Sequence, residues 1–567
     1  MERTITRTPD YIEAIASDRN LQRQVAGVEM ATSPTPNTFG WDTVYAISYA
    51  DVNDAIAAAG VTPPGLSQGG GPTAVTADFS DWRLGLGGGG RNIRMDIPMQ
   101  NLTLGSANFG NATAHINVQL TFVPDPSNGD EDIEKMQLRF LPPASELLAS
   151  QTPTVEVLSI SYTTGNEPTF SQAATIRGQV QAWFNALLDF DFVFATVNVN
   201  RKAAVGDFDF MAPAAWTYAV SDRTNLADSV FGVMAVLEAG DAEGLAHQIS
   251  AYTIPTGARA GFLMSKSVFL KHMVFDGLGT MFGHADDQAW VDSHFELFDN
   301  ETAIRNIKAL TIENLEVQPG KTKNARINTG DFVLRFVDNS LELTLTDMTH
   351  KMPYFLNMGV FDVHHTLRIP IEAAYHPESD QLNTIVTESQ DDVVLTKDKT
   401  WAWIELGVLF ATLALNIYGL SSAIRTVRST SGAVSATTAS ARNSMSSTAS
   451  SASATSNASW VSGASAIQNG RTGIGEFISA VSTAFKATWA YNIGAAFGLA
   501  LTIHSTIAAI ASADPDSRKI DGLPSFKAWA GQVMGAVTWP SSQAEFQPTS
   551  AQFNGAFQIG GEPSHDA

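Results

Sequence analysis

Between about residues 40 and 400 the chain is a succession of short runs in which apolar and polar residues alternate. Thr43–Ser48 (TVYAIS), Ile93–Ile97, Ala114–Phe122, Val155–Tyr162, Phe192–Asn200, Asp331–Val337 and Leu341–Thr346 all read this way, with Gly, Pro, Asn and Asp clusters between them. Period-two alternation places successive side chains on opposite faces of a strand, and turn residues between the runs make the strands antiparallel neighbours. Few helices interrupt the pattern. Ile176, Val180, Trp183, Phe184, Leu187 and Leu188 recur at helical spacing and form one apolar stripe. Ser265–Phe282 begins with a capping serine and is apolar on more than one side, which predicts a second core helix.

The texture changes at residue 401. From there to residue 512 only seven residues are charged, five basic (Arg425, Arg428, Arg442, Arg471, Lys486) and two acidic (Glu405, Glu476). Ser429–Trp460 holds 12 Ser, 5 Thr and 8 Ala, a low-complexity stretch with little to pack. Apolar segments flank it. The first carries Leu406, Leu409, Phe410 and Leu413; the second, Ala487–Ala513, carries Trp489, Phe497, Leu499, Leu501 and Ile503 and has no Asp, Glu, Lys or Arg. A bilayer-spanning helix needs about 20 apolar residues. The second segment is long enough, but Thr502, His504, Ser505 and Thr506 dilute it. A packed helical hairpin, a conditionally membrane-inserting hairpin and a permanent span all fit this length. These nine apolar residues are the candidates for a membrane element. Aromatic residues resume after Pro515, and Phe553–Gly560 predicts a closing strand, so 401–515 reads as an insertion into a sheet-rich body.

With 567 residues the chain is long enough for several domains. Its formal charge of −23 argues against nucleic acid as a partner, since phosphate binders present a basic face. The absence of cysteine excludes disulfides, thiolate metal sites and a cysteine nucleophile. Met1–Asn20 holds no apolar run, so no signal peptide is expected, and the chain is read as cytoplasmic when made, with later release from the cell left open.

Four motifs invite chemistry, and each has a plainer reading. Gly85–Gly90 (GLGGGG) lacks the Lys-Ser/Thr of a phosphate loop and reads as a turn or bulge. His284, Asp286, Asp287, Asp292, His294 and Glu296 include no HExxH spacing and read as a solvated loop. His364 and His365 fall in a strand-like run, where adjacent side chains point to opposite faces and cannot share an ion. Asp125–Asp132 departs from the calcium-loop pattern and reads as a hairpin turn. No catalytic residue, metal ligand or cofactor is assigned, and the chain is not expected to be an enzyme.

Three stretches stand out together: Gly40–Ile47 followed by Asp51–Ile56 (GWDTVYAISYADVNDAI), Phe79–Arg83 leading through the glycines to Arg91–Pro98, and Gly261–Leu270 (GFLMSKSVFL). With the terminal WPSSQAEF and FNGAFQIGG, they resemble the accessory proteins of clostridial neurotoxin gene clusters, of the OrfX and forty-seven-kilodalton types. That resemblance implies an α+β fold of the tubular lipid-binding (TULIP) kind, with strongly curved antiparallel sheets wrapped around long helices. Two such halves are expected, residues 1–220 and residues 221–400 with 516–567, plus the inserted helical region 401–515. It also implies a lipid or other apolar ligand, a membrane, and toxin or sister proteins of the same gene cluster as partners. Val180, Trp183, Phe184, Leu187, Leu188, Phe262, Phe269 and Met273 are the candidates for an acyl-chain groove. Two other readings stay open: a membrane-active component, for example an insecticidal toxin, acting through the insertion, and a non-enzymatic docking protein with a filled core.

Overall fold

The computed structural model describes residues 34–60, 62–124, 133–140, 155–186, 195–200, 209–211, 213–237, 240–284, 287–318, 321–353, 360–378, 380–386, 390–397, 537–538 and 546–563. Among them the chain is an α+β assembly of four antiparallel sheets with few helices. The sheets are open rather than closed into barrels.

A central six-stranded sheet is built from both ends of the chain. Its strands are β1 (Thr43–Ser48), β11 (Pro213–Ser221), β12 (Val230–Leu237), β13 (Ala260–Met264), β24 (Gln547–Phe553) and β25 (Phe557–Glu562). They lie in the order β11-β12-β1-β13-β25-β24. All six residues of β1 are buried. Tyr45 and Ile47 join the main core, whereas Val44 and Ala46 pack with Trp41, Met234 and Ile249 on the other face. Cover on both faces is why Val44–Ile47 is a continuous apolar run rather than the one-sided alternation expected of it.

The second sheet follows β1 in sequence. It comprises β2 (Gly65–Gln68), β3 (Val75–Phe79), β4 (Arg83–Leu84), β5 (Ile93–Leu104), β6 (Ala107–Val118) and β9 (Val155–Tyr162). Here one face is buried and alternation is clean: Ile93, Met95, Ile97 and Met99 point inward from β5, and Arg94, Asp96 and Pro98 do not. A small sheet of β7 (Leu120–Pro124), β8 (Ile133–Phe140), β10 (Ala195–Asn200) and β23 (Val537–Thr538) continues beyond it. The expected single run Ala114–Phe122 is therefore split at Gln119 between β6 and β7. At the break the Leu120 N–H donates to the Tyr218 hydroxyl (2.6 Å), and that hydroxyl donates to the Arg91 carbonyl (3.0 Å).

The largest sheet has nine strands: β14 (Phe295–Phe298), β15 (Ala303–Asn306), β16 (Leu310–Gln318), β17 (Lys321–Ile327), β18 (Phe332–Val337), β19 (Ser340–Pro353), β20 (Val360–His376), β21 (Gln381–Val386) and β22 (Gln390–Lys397). Its long β19–β20 pairing forms the spine, with β18 and β17 beside β19 and β21 and β22 beside β20.

One expectation changes here. Phe553–Gly560 is not one closing strand but the turn and arms of the β24–β25 hairpin, which bends at Asn554–Ala556 with Gly555 at φ 69°, where a β-carbon is disfavoured.

Helix α1 (Tyr49–Ala59) leaves β1 directly. Ser48 caps it: its Oγ accepts from the Asp51 N–H (3.1 Å) and donates to the Asp51 carboxylate (2.5 Å). Gly60 ends it in the left-handed conformation. Helix α2 (Phe170–Ala186) lies on the second sheet and has 17 residues, the longest among the described ones. The expected helix from Ser265 exists but is irregular: an α turn (Lys266–Val268), a π turn (Phe269–Val274), a 3-10 turn (Phe275–Gly277) and an α turn (Leu278–Met281) in succession.

Candidate functional site

The apolar stripe of α2 is buried against the second sheet. Ile176 and Val180 are fully enclosed, and Trp183 and Phe184 close the lower end. Their rings meet Phe79 and Trp82: Phe79 lies 5.1 Å from Trp183 and 5.4 Å from Trp82, and Trp82 lies 5.5 Å from Phe184, centroid to centroid. Such edge and tilted contacts add to area burial. Polar side chains of α2 also close the free edge of β9. Gln181 accepts from the Val157 N–H (3.2 Å), while Asn185 accepts from the Val155 N–H (3.3 Å) and donates to the Val155 carbonyl (2.9 Å). Unpaired strand edges are otherwise open to further pairing.

Phe262, Phe269 and Met273 form a second interior. Phe262 projects from β13, and Phe269 sits 5.7 Å from Phe336 of the nine-stranded sheet, 5.3 Å from Phe553 and 5.0 Å from Phe557 of the central sheet. The two interiors belong to one continuous apolar cluster that runs from Tyr45 to Ile559. Each of the six described groove candidates is thus buried and packed. Leu187 and Leu188 lie outside the described residues, as do Leu406, Leu409, Phe410, Leu413, Trp489, Phe497, Leu499, Leu501 and Ile503 of the insertion. No described helix is long and apolar enough to cross a membrane.

An open cleft of about 390 Å³ lies where the start of α2 meets the β5–β6 turn. Thr73, Ser106, Ser171, Gln172 and Thr175 line it, with no charged side chain, so it is unlike the apolar interiors. At its side α2 begins with Phe170, which is 92% exposed, more than any other large apolar residue described. Nothing in the helical spacing pointed to Phe170, because it lies off the stripe.

Two carboxylates tie the second sheet and α1 to the central sheet. Asp222, just after β11, accepts from the Tyr49 hydroxyl (2.7 Å), from the Gly88 N–H (2.9 Å) and from the Gly87 N–H. The Gly85–Gly90 stretch is therefore a turn whose amide groups hold an anion, but the anion is the chain's own carboxylate. Gly87, at φ 114°, adopts a conformation closed to other residues. Burial, then the hydrogen bond and charge of Asp222, pushes the Tyr49 phenol well above its ordinary range. Asp51 is the second tie. Its side chain is 3% exposed and pairs with Arg259, which also lies 3.8 Å from Glu562 and 4.0 Å from Asp54. Burial alone would lower the Arg259 guanidinium; Asp51, with Glu562 and Asp54, overrides it and raises it. This cluster joins α1 to β25 and so fastens the two ends of the described chain. Helix α1 shows no long apolar stripe in sequence, although the Ser-x-x-acid pattern at Ser48 and Asp51 announces it.

The remaining motifs resolve individually. The run from His284 is not a loop throughout: Gln288–His294 is a helix, capped by Asp287 through the Trp290 N–H (2.9 Å). His284 and His294 stack on either side of Trp290, each 4.2 Å away, and Glu296 pairs with Arg305 at 2.5 Å. Asp286 and the Asp125–Asp132 segment lie outside the described residues. His364 and His365 both lie in β20, and His364 Nδ1 meets Asp347 at 2.8 Å.

A family model described as OrfX-like, Protein OrfX2/OrfX3/P47, matches residues 38–325, half of the chain. This chain belongs to the OrfX-like family. The match spans α1, the glycine turn, α2 and the mixed helix. Protein OrfX3 of Paraclostridium bifermentans is 24% identical over 272 residues, 43% of this chain and 55% of that protein. Protein OrfX3 of Clostridium botulinum (strain Kyoto / Type A2) is 26% identical over 264 residues, 42% and 53% of the two chains. The chain spans about half the length of these curated OrfX-like relatives. In fold it is similar to the structure of P47 from Clostridium botulinum A2, with a TM-score of 0.55 and 14% identity over 93% of this chain and 98% of that one. P47 of Clostridium botulinum E1 is similar at a TM-score of 0.54 and 13% identity, over 93% and 100%.

Proposed function

We propose that this OrfX-like protein is a non-enzymatic, toxin-associated protein that binds lipid or membrane. The observation that carries the reading is the continuous apolar interior shared by α2, the mixed helix and three sheets. A TULIP-like use of that interior admits an acyl chain between helix and sheet, along Val180, Trp183 and Phe184 or along Phe262, Phe269 and Met273. Each buried methylene contributes about 0.8 kcal/mol, so one chain offsets a modest loss of side-chain packing. Phe170 supports contact with a membrane surface, since it stands clear of the core at the tip of α2. Toxin or sister proteins of a shared gene cluster are the proposed protein partners, on the strength of the family.

A second reading rests on the insertion. Ala487–Ala513 carries no charged residue and follows a stretch that is net positive in an otherwise acidic chain. In that reading residues 401–515 enter the bilayer and the protein is membrane-active itself.

Liposome flotation separates the readings. The full chain and a 401–515 deletion, with matched melting curves for the body, are floated with anionic vesicles at pH 5 and pH 7.5. Flotation of both places recognition in the sheet body and supports the lipid reading, and Phe170→Ser then weakens it without changing stability. Flotation of the full chain alone favours the insertion. If neither floats, and native mass spectrometry finds no bound lipid, the lipid reading fails in favour of a docking protein. Binding is expected to be stronger at pH 5, where protonation lowers the repulsion between a −23 chain and anionic head groups.

A further inference from the structure

The outer face of the second sheet carries a chain of polar contacts that the lipid reading does not use. Ser161 Oγ lies 3.0 Å from His115 Nε2, and His115 Nδ1 lies 2.6 Å from Asp96 Oδ1. The three residues come from three neighbouring strands. Asp96 of β5 is register partner to His115 of β6, and Ser161 of β9, register partner to Thr113, lies diagonally across from His115. A carboxylate accepts only, so Nδ1 carries the proton toward Asp96 and Nε2 is left to accept from the Ser161 hydroxyl. On the far side Arg83 of β4 stands 3.8 Å from Asp96. The imidazole and carboxylate are about a quarter exposed, at 28% and 23%, and Ser161 is open to solvent.

We propose that Ser161, His115 and Asp96 form a nucleophilic relay in which Ser161 accepts an acyl group from a small activated ester. His115 acts as the base, and Asp96 is a positioning residue that sets its tautomer and orientation. In the step, Ser161 Oγ bonds to the acyl carbon and its proton passes to His115 Nε2. The bond from that carbon to the leaving oxygen breaks, and the leaving group departs with the proton from His115. The same arrangement of donor, base and orienting acid activates serine in unrelated hydrolases, where geometry and not sequence position defines it. An exposed nucleophile on an open sheet face suits a small ester rather than an enclosed substrate, which limits the activity to acyl transfer onto the chain itself. The relay is independent of lipid binding.

Ser159 is the internal control. It is exposed on the same strand and projects from the same face, and His115 is its register partner. The full chain is treated with p-nitrophenyl acetate, nitrophenolate release is followed, and acetylated peptides are located by mass spectrometry. The expected result is a burst with acetyl on Ser161 in large excess over Ser159, lost in Ser161→Ala. His115→Gln lowers the rate by about 100-fold. Asp96→Asn lowers it by at least about tenfold, because the amide no longer enforces the tautomer. Labelling of the unaltered chain is pH-dependent, and that dependence disappears in His115→Gln. The other charged groups on this face, Arg83, Arg94 and Glu156, are left in place, so the profile reports the imidazole. Equal acetylation of Ser159 and Ser161, or an unchanged pH profile in His115→Gln with a normal melting curve, would overturn the proposal.

Discussion

Two helical segments meet the sheets of this protein in different ways. Helix α2 is regular and buried along one stripe, with the rest of its surface turned to solvent. The segment from Lys266 to Met281 is wedged between the central and nine-stranded sheets, with Phe269 touching aromatic rings of both. It passes through α, π and 3-10 turns within 16 residues. One-sided burial leaves a helix free to keep its own hydrogen-bond ladder. Two-sided burial makes the surrounding sheets dictate where each side chain sits, and the backbone adjusts by a residue more or less per turn. The two segments therefore do different work: α2 covers one face of the second sheet, and the mixed helix packs against rings of both the central and the nine-stranded sheets.

Cutting back the most enclosed ring should have the largest effect. Phe269→Ala is expected to destabilise by about 4–5 kcal/mol, and Phe184→Ala by about 3 kcal/mol, in urea unfolding. Equal losses would mean that contact with two sheets adds nothing to contact with one. Next comes the Asp222 tie. Asp222→Ala leaves the Tyr49 hydroxyl and two glycine amides without their acceptor, and a loss of about 2 kcal/mol is expected. Hydrogen exchange should then quicken in β4, β5 and α1 while the mixed helix stays protected; uniform quickening would show that the two regions open as one. Arg259→Ala should remove about 1 kcal/mol, since Arg259 is half exposed although Asp51 is not.

The smallest effect is a pH dependence at the seam between the second and central sheets. Burial, and then the charge of Arg91, holds the His247 imidazole below its ordinary value. A depressed imidazole contributes stability above its unfolded pKa of about 6.5, and that contribution disappears as pH falls through the lower folded value. Melting temperature should therefore slip slightly between pH 7 and pH 5, and less so in His247→Gln. An identical slope in the variant would place the acid sensitivity elsewhere.

Much of the sheet was legible along the chain. The bounds of β9 follow directly from alternation, and the inward residues of β5 are those that period two selects. The buried positions of α2 were legible because a helix covered on one side needs only one stripe. Ser265 capping was also readable, yet the π and 3-10 turns after it were not, because they answer to Phe336, Phe553 and Phe557, far away in sequence. Helix α1 was hidden by its position between an apolar strand and a glycine, although Ser48 and Asp51 carry its cap. The role of Gly85–Gly90 depended on Asp222, more than 130 residues away. The Ser161–His115–Asp96 contacts left no motif, since the three residues are separated by 19 and 46 positions and meet only through strand pairing.

Local chemistry along the chain determined which segments alternate, where a helix starts, and that cysteine and phosphate-loop chemistry are absent. These follow from side-chain size, polarity and capping, which act over a few residues. Tertiary structure decided which strands share a sheet, so that β1 lies between β12 and β13 and the last hairpin joins them from the far end of the chain. It also decided which apolar faces are covered once or twice, and which polar side chains meet across strands. Those outcomes depend on contacts between distant segments, whose register is set by packing of whole faces and not by any residue's immediate neighbours.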